Sequence, residues 1–156
     1  MIKKLAIFSL CVTLLSSCSN TSNTGSEAAD HVKELVNRAV GLIEEQGKTA
    51  FPQMNKADWR EGDPYVFVID LKGELFVNPG RPELVGTPQI NMRDAVGTYI
   101  IKDFIKVIKE KNSAWFEYHW IEPGNEEMCN KRAYLRKAQS RNDGDYIVGS
   151  GYCAEV

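Results

Sequence analysis

The sequence predicts an α+β fold: a long N-terminal helix packed on a roughly five-stranded antiparallel sheet, with a further helix inserted between strands. Three observations carry this. Tyr65-Val-Phe-Val-Ile-Asp70 and Leu75-Phe-Val-Asn78 are β-branched and aromatic runs around a polar turn with Gly73, the pattern of an antiparallel hairpin. Upstream, Val32, Leu35, Val36, Ala39, Leu42 and Ile43 recur at helical spacing. Downstream, an aromatic run over Trp115–Ile121 precedes Ala133–Lys137 and Tyr146–Gly151, three more strands that meander to the C-terminus.

The chain has 156 residues, 43% hydrophobic and 26% charged, which suits one folded domain with a real core. Its 19 basic residues fall to 17 against 21 acidic ones once Lys3 and Lys4 leave with the leader described next, a formal charge of -4. A nucleic-acid-binding surface needs the opposite balance, so nucleic acid is not an expected partner.

Residues 1–17 read as a secretory signal: a short cationic start, a brief apolar run, then small residues. A spanning helix needs about 20 apolar residues, and this run is shorter. Leu15-Ser-Ser-Cys18 resembles a bacterial lipobox, which implies that Cys18 becomes the acylated first residue of the mature protein. The alternative is an ordinary cleaved leader with a chance cysteine. Ser19 after the cysteine resembles the sorting pattern of the outer membrane, where the organism has one. Residues 18–26 are then the lipidated cysteine and a polar tether, and 27–156 the folded domain.

Glu27–Gln46 is expected to be helical, with Gly47 at the exit and Thr24-Gly-Ser-Glu27 as a capping box. His31 falls beside the apolar stripe and is read as solvent-facing. Thr49–Met54 reads as a further helical turn, with Phe51 and Met54 in the core. If Asp70 and Leu75 close the hairpin, alternation puts Tyr65, Phe67, Ile69, Phe76 and Asn78 on one face. Val66, Val68, Leu75 and Val77 then occupy the other. The aliphatic face suits a covering helix and the aromatic one a pocket. Pro79–Pro88 is a loop stiffened by prolines, with Asp70 and Asp94 as turn or cap residues. A helix follows over Thr98–Ile108 through Ile101, Phe104, Ile105 and Ile108. On the aromatic strand, Phe116, Tyr118 and Trp120 face one way and Trp115, Glu117 and His119 the other. His119 is expected beneath the first helix.

With Cys11 removed and Cys18 acylated, Cys129 and Cys153 remain, outside the cytoplasm where disulfides persist. A last hairpin centred near Arg141 sets them opposite each other at its open end, and closing a loop of that size stabilises by about 3 kcal/mol in the chain-entropy model. A reactive thiol pair is the weaker alternative. Two cysteines with only His31 and His119 argue against a metal site.

Several stretches taken in order resemble a single Cache domain of the type 2 subfamily, a PAS-like extracytoplasmic sensor module. They are Tyr65–Asp70, Gly73, Asn78-Pro79, Pro82-Glu-Leu-Val-Gly86, Asp94 with Gly97, Tyr118-His-Trp120, Lys131-Arg-Ala-Tyr134 and Asp145–Tyr152. Ala133 stands where a serine is common, and Trp115-Phe116 replaces a glycine-rich entry. The resemblance implies a PAS-like fold and a pocket for a small molecule, most often a small carboxylate. Tyr65, Phe67, Tyr118, Trp120 and Tyr134 are candidate walls and hydroxyl donors. Asn78 with a cation, either Arg93 or Lys131, would hold the carboxylate. Alternation puts Lys131 and Tyr134 on opposite faces unless a bulge intervenes, so Lys131 is the weaker choice.

Each residue has a structural alternative: the aromatics as core, the cations as solvated surface, Asn78 as a turn former. No cofactor is expected. Nucleophile elbow, metal cluster and phosphate loop are absent from the sequence, and Glu117 with His119 is a dyad by composition only, so no enzyme is expected. The function expected is an extracytoplasmic, lipid-anchored binding or sensing module that signals through a separate envelope partner. The alternative is an envelope protein-interaction module with a vestigial pocket.

Overall fold

The structure, a computed structural model, describes residues 24–60, 64–121, 124 and 126–154; the expected leader with Cys11, the expected lipidation at Cys18 and the expected tether as far as Asn23 lie outside them. Helix α1 (Thr24–Gln46) leads through a 3-10 turn, Gly47–Ala50, into α2 (Phe51–Met54). Strands β1 (Phe67–Asp70) and β2 (Leu75–Val77) form the first hairpin, and α3 (Ile100–Glu110) separates it from β3 (Ser113–Ile121), β4 (Met128–Ser140) and β5 (Gly144–Ala154). The five strands lie in the order β2-β1-β5-β4-β3, with every pairing antiparallel. The chain therefore makes its edge hairpin first and brings the last strand back beside β1.

The two faces of the sheet are covered by different helices. Val36, Ala39, Val40 and Ile43 of α1 pack on Val66, Val68, Val77, Ala138, Tyr146 and Val148. Each buried Val, Leu or Ile is worth about 1.5–3 kcal/mol against exposure, so packing rather than helix propensity holds α1 in place. The helix is already formed at Thr24, so that residue does not cap it. On the opposite face Ile100, Ile101, Phe104, Ile105 and Ile108 of α3 meet Ile69, Leu75, Tyr118, Ala133, Leu135 and Ile147. α3 starts at Ile100 rather than Thr98, because Tyr99 takes a non-helical ψ of 82°.

One expectation for the first hairpin is corrected. Val68 pairs with Val77 but Ile69 pairs with Leu75, so β2 carries one extra residue at Phe76. A β-bulge of this kind breaks side-chain alternation. Phe76 consequently joins the α1 side, its ring 5.3 Å from Phe51 and 5.8 Å from Tyr146, while Leu75 turns to the α3 side. The expected faces hold for Tyr65, Phe67, Ile69 and Asn78 and are exchanged for Leu75 and Phe76. Asn55 clamps the bulge: its Nδ2 donates to Phe76 O at 2.9 Å and its Oδ1 accepts from Asn78 N at 2.9 Å.

The final hairpin pairs Ser140 with Gly144 around Asn142, one position beyond the expected centre. Cys153 therefore lies opposite Lys131 rather than Cys129, and the Cys129–Cys153 disulfide crosses the ladder diagonally with Cα atoms 5.6 Å apart.

The Asn55 clamp serves two backbone groups at the bulge, Phe76 O and Asn78 N. Asn55→Ala is expected to destabilise by about 1–3 kcal/mol. A urea midpoint within error of the parent would show that water takes over both bonds.

Candidate ligand-binding site

On the α3 side the sheet and helix do not close completely. Tyr65, Phe67 and Ile69 from the first hairpin, Ile100, Ile101 and Phe104 from α3, and Tyr118 and Trp120 from β3 surround a pocket. The segment after β2 supplies the remaining wall through Asn78, Arg81, Leu84, Gln89 and Met92. This segment is tied to β2 rather than loose. Gly86 N donates to Leu75 O at 2.7 Å, Leu75 N to Thr87 O at 3.2 Å, and Gln89 N to Gly73 O at 2.7 Å. It thereby covers the free edge of β2 as well as walling the cavity.

The floor depends on a glycine. A Cβ at Gly149 would collide with the Phe67 ring, which lies flat on β5 and stacks on Phe104 at 5.8 Å. The cavity volume is about 40 Å³. At about 10–15 Å³ per water, that is room for roughly three or four waters.

The polar groups are few. The Arg81 guanidinium lies 5.5 Å from the Trp120 ring centroid and, among the described residues, makes no ion pair. Trp120 Nε1 is buried without a hydrogen-bond partner among the described residues, a state shared by Arg132 Nε and Ser150 Oγ. Those two lie elsewhere: Arg132 Nε is 3.6 Å from the Glu117 carboxylate, and Ser150 sits on the α1 face. Asn78 Oδ1 accepts from Arg81 N at 2.9 Å across a turn that Arg81 N also closes on Asn78 O at 3.2 Å, which places the arginine. Asn78 is then left with its NH2 to offer the pocket. No Asp or Glu among the described residues lines the cavity.

Tyr65, Phe67, Asn78, Tyr118 and Trp120 of the expected set are thus brought together. Lys131 is close behind them, 3% exposed, with Nζ 4.8 Å from the Tyr65 ring centroid. Its partner candidate Tyr134 is on the other side of the sheet, 5.2 Å from Trp115, because no bulge interrupts β4. The weaker choice by sequence is therefore the one beside the pocket. Arg93 is turned away: it donates to Gly97 O at 2.9 Å and to the Tyr99 hydroxyl, and it stacks on that ring. Arg81 was not selected from sequence, although Asn78-Pro-Gly-Arg81 carries the turn signal that places it.

Glu117 and His119 do not act as a pair, since Glu117 faces Arg132 and His119 Nδ1 lies 3.8 Å from Asp94. The His119 side chain is 43% exposed rather than packed beneath α1. No group of three or more His, Cys, Asp or Glu among the described residues could hold a metal.

A family model described as a Cache domain matches residues 14–154. A solved periplasmic sensor domain of a chemotaxis protein is 26% identical, with a TM-score of 0.67 over 86% of this chain and 100% of that one. A Cache chemosensory domain described for carboxylic acid recognition is 19% identical, with a TM-score of 0.67 over 88% of this chain and 100% of that one. A methyl-accepting chemotaxis protein from Vibrio parahaemolyticus is 18% identical, with a TM-score of 0.66 over 84% and 91%. The last two show the fold.

Asp94 closes the pocket side of β3. Its carboxylate accepts from Thr98 N at 2.7 Å, Val96 N at 3.1 Å and His119 N at 3.2 Å. Burial pushes the carboxyl up, but these three amides and the nearby imidazole outweigh it and hold it below the ordinary 3.8. A carboxylate with a depressed folded value contributes stability above its unfolded value and loses it as pH falls through the folded one. Asp94→Asn is therefore expected to be less stable than the parent at pH 7, with the two urea midpoints converging below about pH 4. A gap that stays constant down to pH 2 would contradict this.

Proposed function

The chain belongs to the Cache domain family, and from that premise we propose that it is an extracytoplasmic module that reversibly binds a small carboxylate. The observation that carries the proposal is the buried indole N–H of Trp120, unpaired among the described residues, in a pocket whose charged lining residue is Arg81. Leaving a buried donor unmade costs about 1–3 kcal/mol, and an acceptor brought by a ligand removes that cost. A guanidinium beside it favours an anionic acceptor and can grip both oxygens of a carboxylate. Among the described residues no carboxylate lines the pocket, which disfavours an α-amino group beside Arg81. The small cavity favours two- to four-carbon acids over larger ones.

Tyr65, Phe67, Asn78, Tyr118 and Trp120 are the proposed contacts, with Arg81 as the anion-binding group and Lys131 adding positive potential from behind Tyr65. Cache domains are ligand-binding sensory modules, and we assign no catalysis to this one. Lipidation at Cys18, on the outer membrane where there is one, is the proposed anchor, from the Leu15–Cys18 ending. A lipid in one leaflet does not carry a conformational signal across a bilayer, so the proposed output is a separate envelope protein. A second reading, a protein-interaction module, has one observation in its favour. Ile121 and Met128, paired across β3 and β4, are 42% and 53% exposed.

The test is calorimetric titration and thermal shift of the exported, oxidised protein with acetate, propionate, pyruvate and lactate. One or more should raise the melting temperature by binding the native state. Arg81→Gln should weaken the best ligand by roughly 10–100-fold, and Trp120→Phe, which keeps a ring and removes the N–H, by about 5-fold. Silence across the series, or unchanged affinity in Arg81→Gln, would overturn the carboxylate reading. A screen that stays silent, together with loss of a defined envelope cross-link in Ile121→Ser/Met128→Ser, would favour the interaction module.

A further inference from the structure

The disulfide lies on the pocket face of the sheet, in register with two groups of the site. Cys129 is directly opposite Trp120 on β3. Cys153 is directly opposite Lys131, which is itself opposite Tyr118, so Tyr118, Lys131 and Cys153 form one row across three strands. Residues directly opposite in an antiparallel ladder share a face, with Cβ atoms about 4.5–5.5 Å apart. The bond also sits at the open end of its hairpin, near the pair Asn130 with Ala154, the outermost among the described residues. Strand ends open first and at the least free energy. Trp120 and Lys131 are thus held at the end of the sheet that depends most on a cross-link.

We propose that the Cys129–Cys153 disulfide is a positioning element of the ligand site, and that its reduction weakens ligand binding by releasing Lys131 and Trp120. The module then binds its ligand more tightly in the oxidised state than in the reduced one. This rests on the carboxylate reading above.

The chemistry requires a dithiol. One thiolate of the dithiol attacks Cys153 Sγ, the more exposed half, and the S–S bond breaks with Cys129 leaving as thiolate. The second thiol of the reductant resolves the mixed disulfide. Two electrons and two protons pass to the cysteines, and the dithiol becomes a cyclic disulfide.

The experiment measures acetate and propionate affinity of the exported mature protein before and after dithiothreitol, in the parent and in Lys131→Met. Cys129→Ser/Cys153→Ser serves as a reductant-free control, and near-UV circular dichroism confirms the folded state. Reduction is expected to weaken binding at least fivefold in the folded parent. In Lys131→Met binding is weaker from the start, and reduction should add less than twofold, because the cross-link acts partly through the residue removed. An equal factor in both proteins marks a global stability effect and overturns the proposal, as does unchanged affinity in the reduced parent.

Hydrogen exchange on the same samples separates this proposal from the ligand reading. Reduction should accelerate exchange at 118–121 and 129–133 well beyond any change in α3, whether or not a carboxylate binds. No binding to the oxidised parent refutes the ligand reading. Uniform or absent acceleration refutes the clamp.

Discussion

Between Val68 and Ile69 the pairing of β1 with β2 slips by one residue, and the pocket follows from that slip. Regular alternation would have sent Leu75 beneath α1 and put the Phe76 ring among Tyr65 and Phe67. The bulge reverses both: Phe76 packs against Phe51 and Tyr146, and the smaller Leu75 leaves room beside Phe67. It also bends the strand end, so that Asn78 and the turn after it pass over Tyr65. Gly80 lies so close there that a Cβ would come within 2.8 Å of the ring. A bulge opens ladder bonds, and unmade bonds in a half-buried place are expensive. Asn55, on the short helical turn after α1, makes those bonds instead. The position of Arg81 in the site thus depends on an amide far from it in sequence.

This explains what could be read without coordinates. Periodicity located α1, α3 and the five strands, because each buries one face and the repeat of apolar residues records which. It also separated Phe116, Tyr118 and Trp120 from Trp115, and Lys131 from Tyr134, since β3 and β4 keep strict alternation. It failed at Leu75 and Phe76, where the count along the strand changes by one and nothing in Leu-Phe-Val announces it. It did not single out Arg81: Arg93 and Lys131 were weighed by type and position along an element, whereas Arg81 is placed by a turn on Asn78 that follows the bulge. The final hairpin register shifted by one centre for a related reason: Ser140–Gly144 holds several turn formers, and Gly144 takes the positive φ of +92°.

The two faces of the sheet also differ in how completely they satisfy themselves. Under α1 the aliphatic residues interlock with a long helix, and the core there is continuous from Leu35 to Val148. Under the shorter α3 the rings of Phe67, Phe104, Phe116, Tyr118 and Trp120 sit among isoleucines, and flat rings set at angles, such as Phe104 against Phe116 and Tyr118 at 81° and 69°, pack less completely than branched aliphatic chains alone. Aromatic weight on β3 is thus the sequence trace of an incompletely filled face. An indole N–H without a partner among the described residues costs stability in such a gap. In the proposed reading the ligand supplies the missing acceptor.

A ligand shifts an equilibrium only through contacts that differ between states. An occupant of this pocket would touch β1, β3, α3 and the segment from Asn78 to Met92, all on one side of the sheet. α1 is on the other side, separated by a tightly packed layer that has few ways to rearrange. The elements best placed to register occupancy are therefore the Arg81–Met92 segment and the end of β3. The first is hydrogen-bonded to β2 and the second is fixed by Asp94 through His119 N. Both reach the same end of the sheet as the exposed Ile121–Met128 pair. In this arrangement the sensing surface and the apolar pair are neighbours, so a partner docked there would meet the part of the molecule that the ligand alters most.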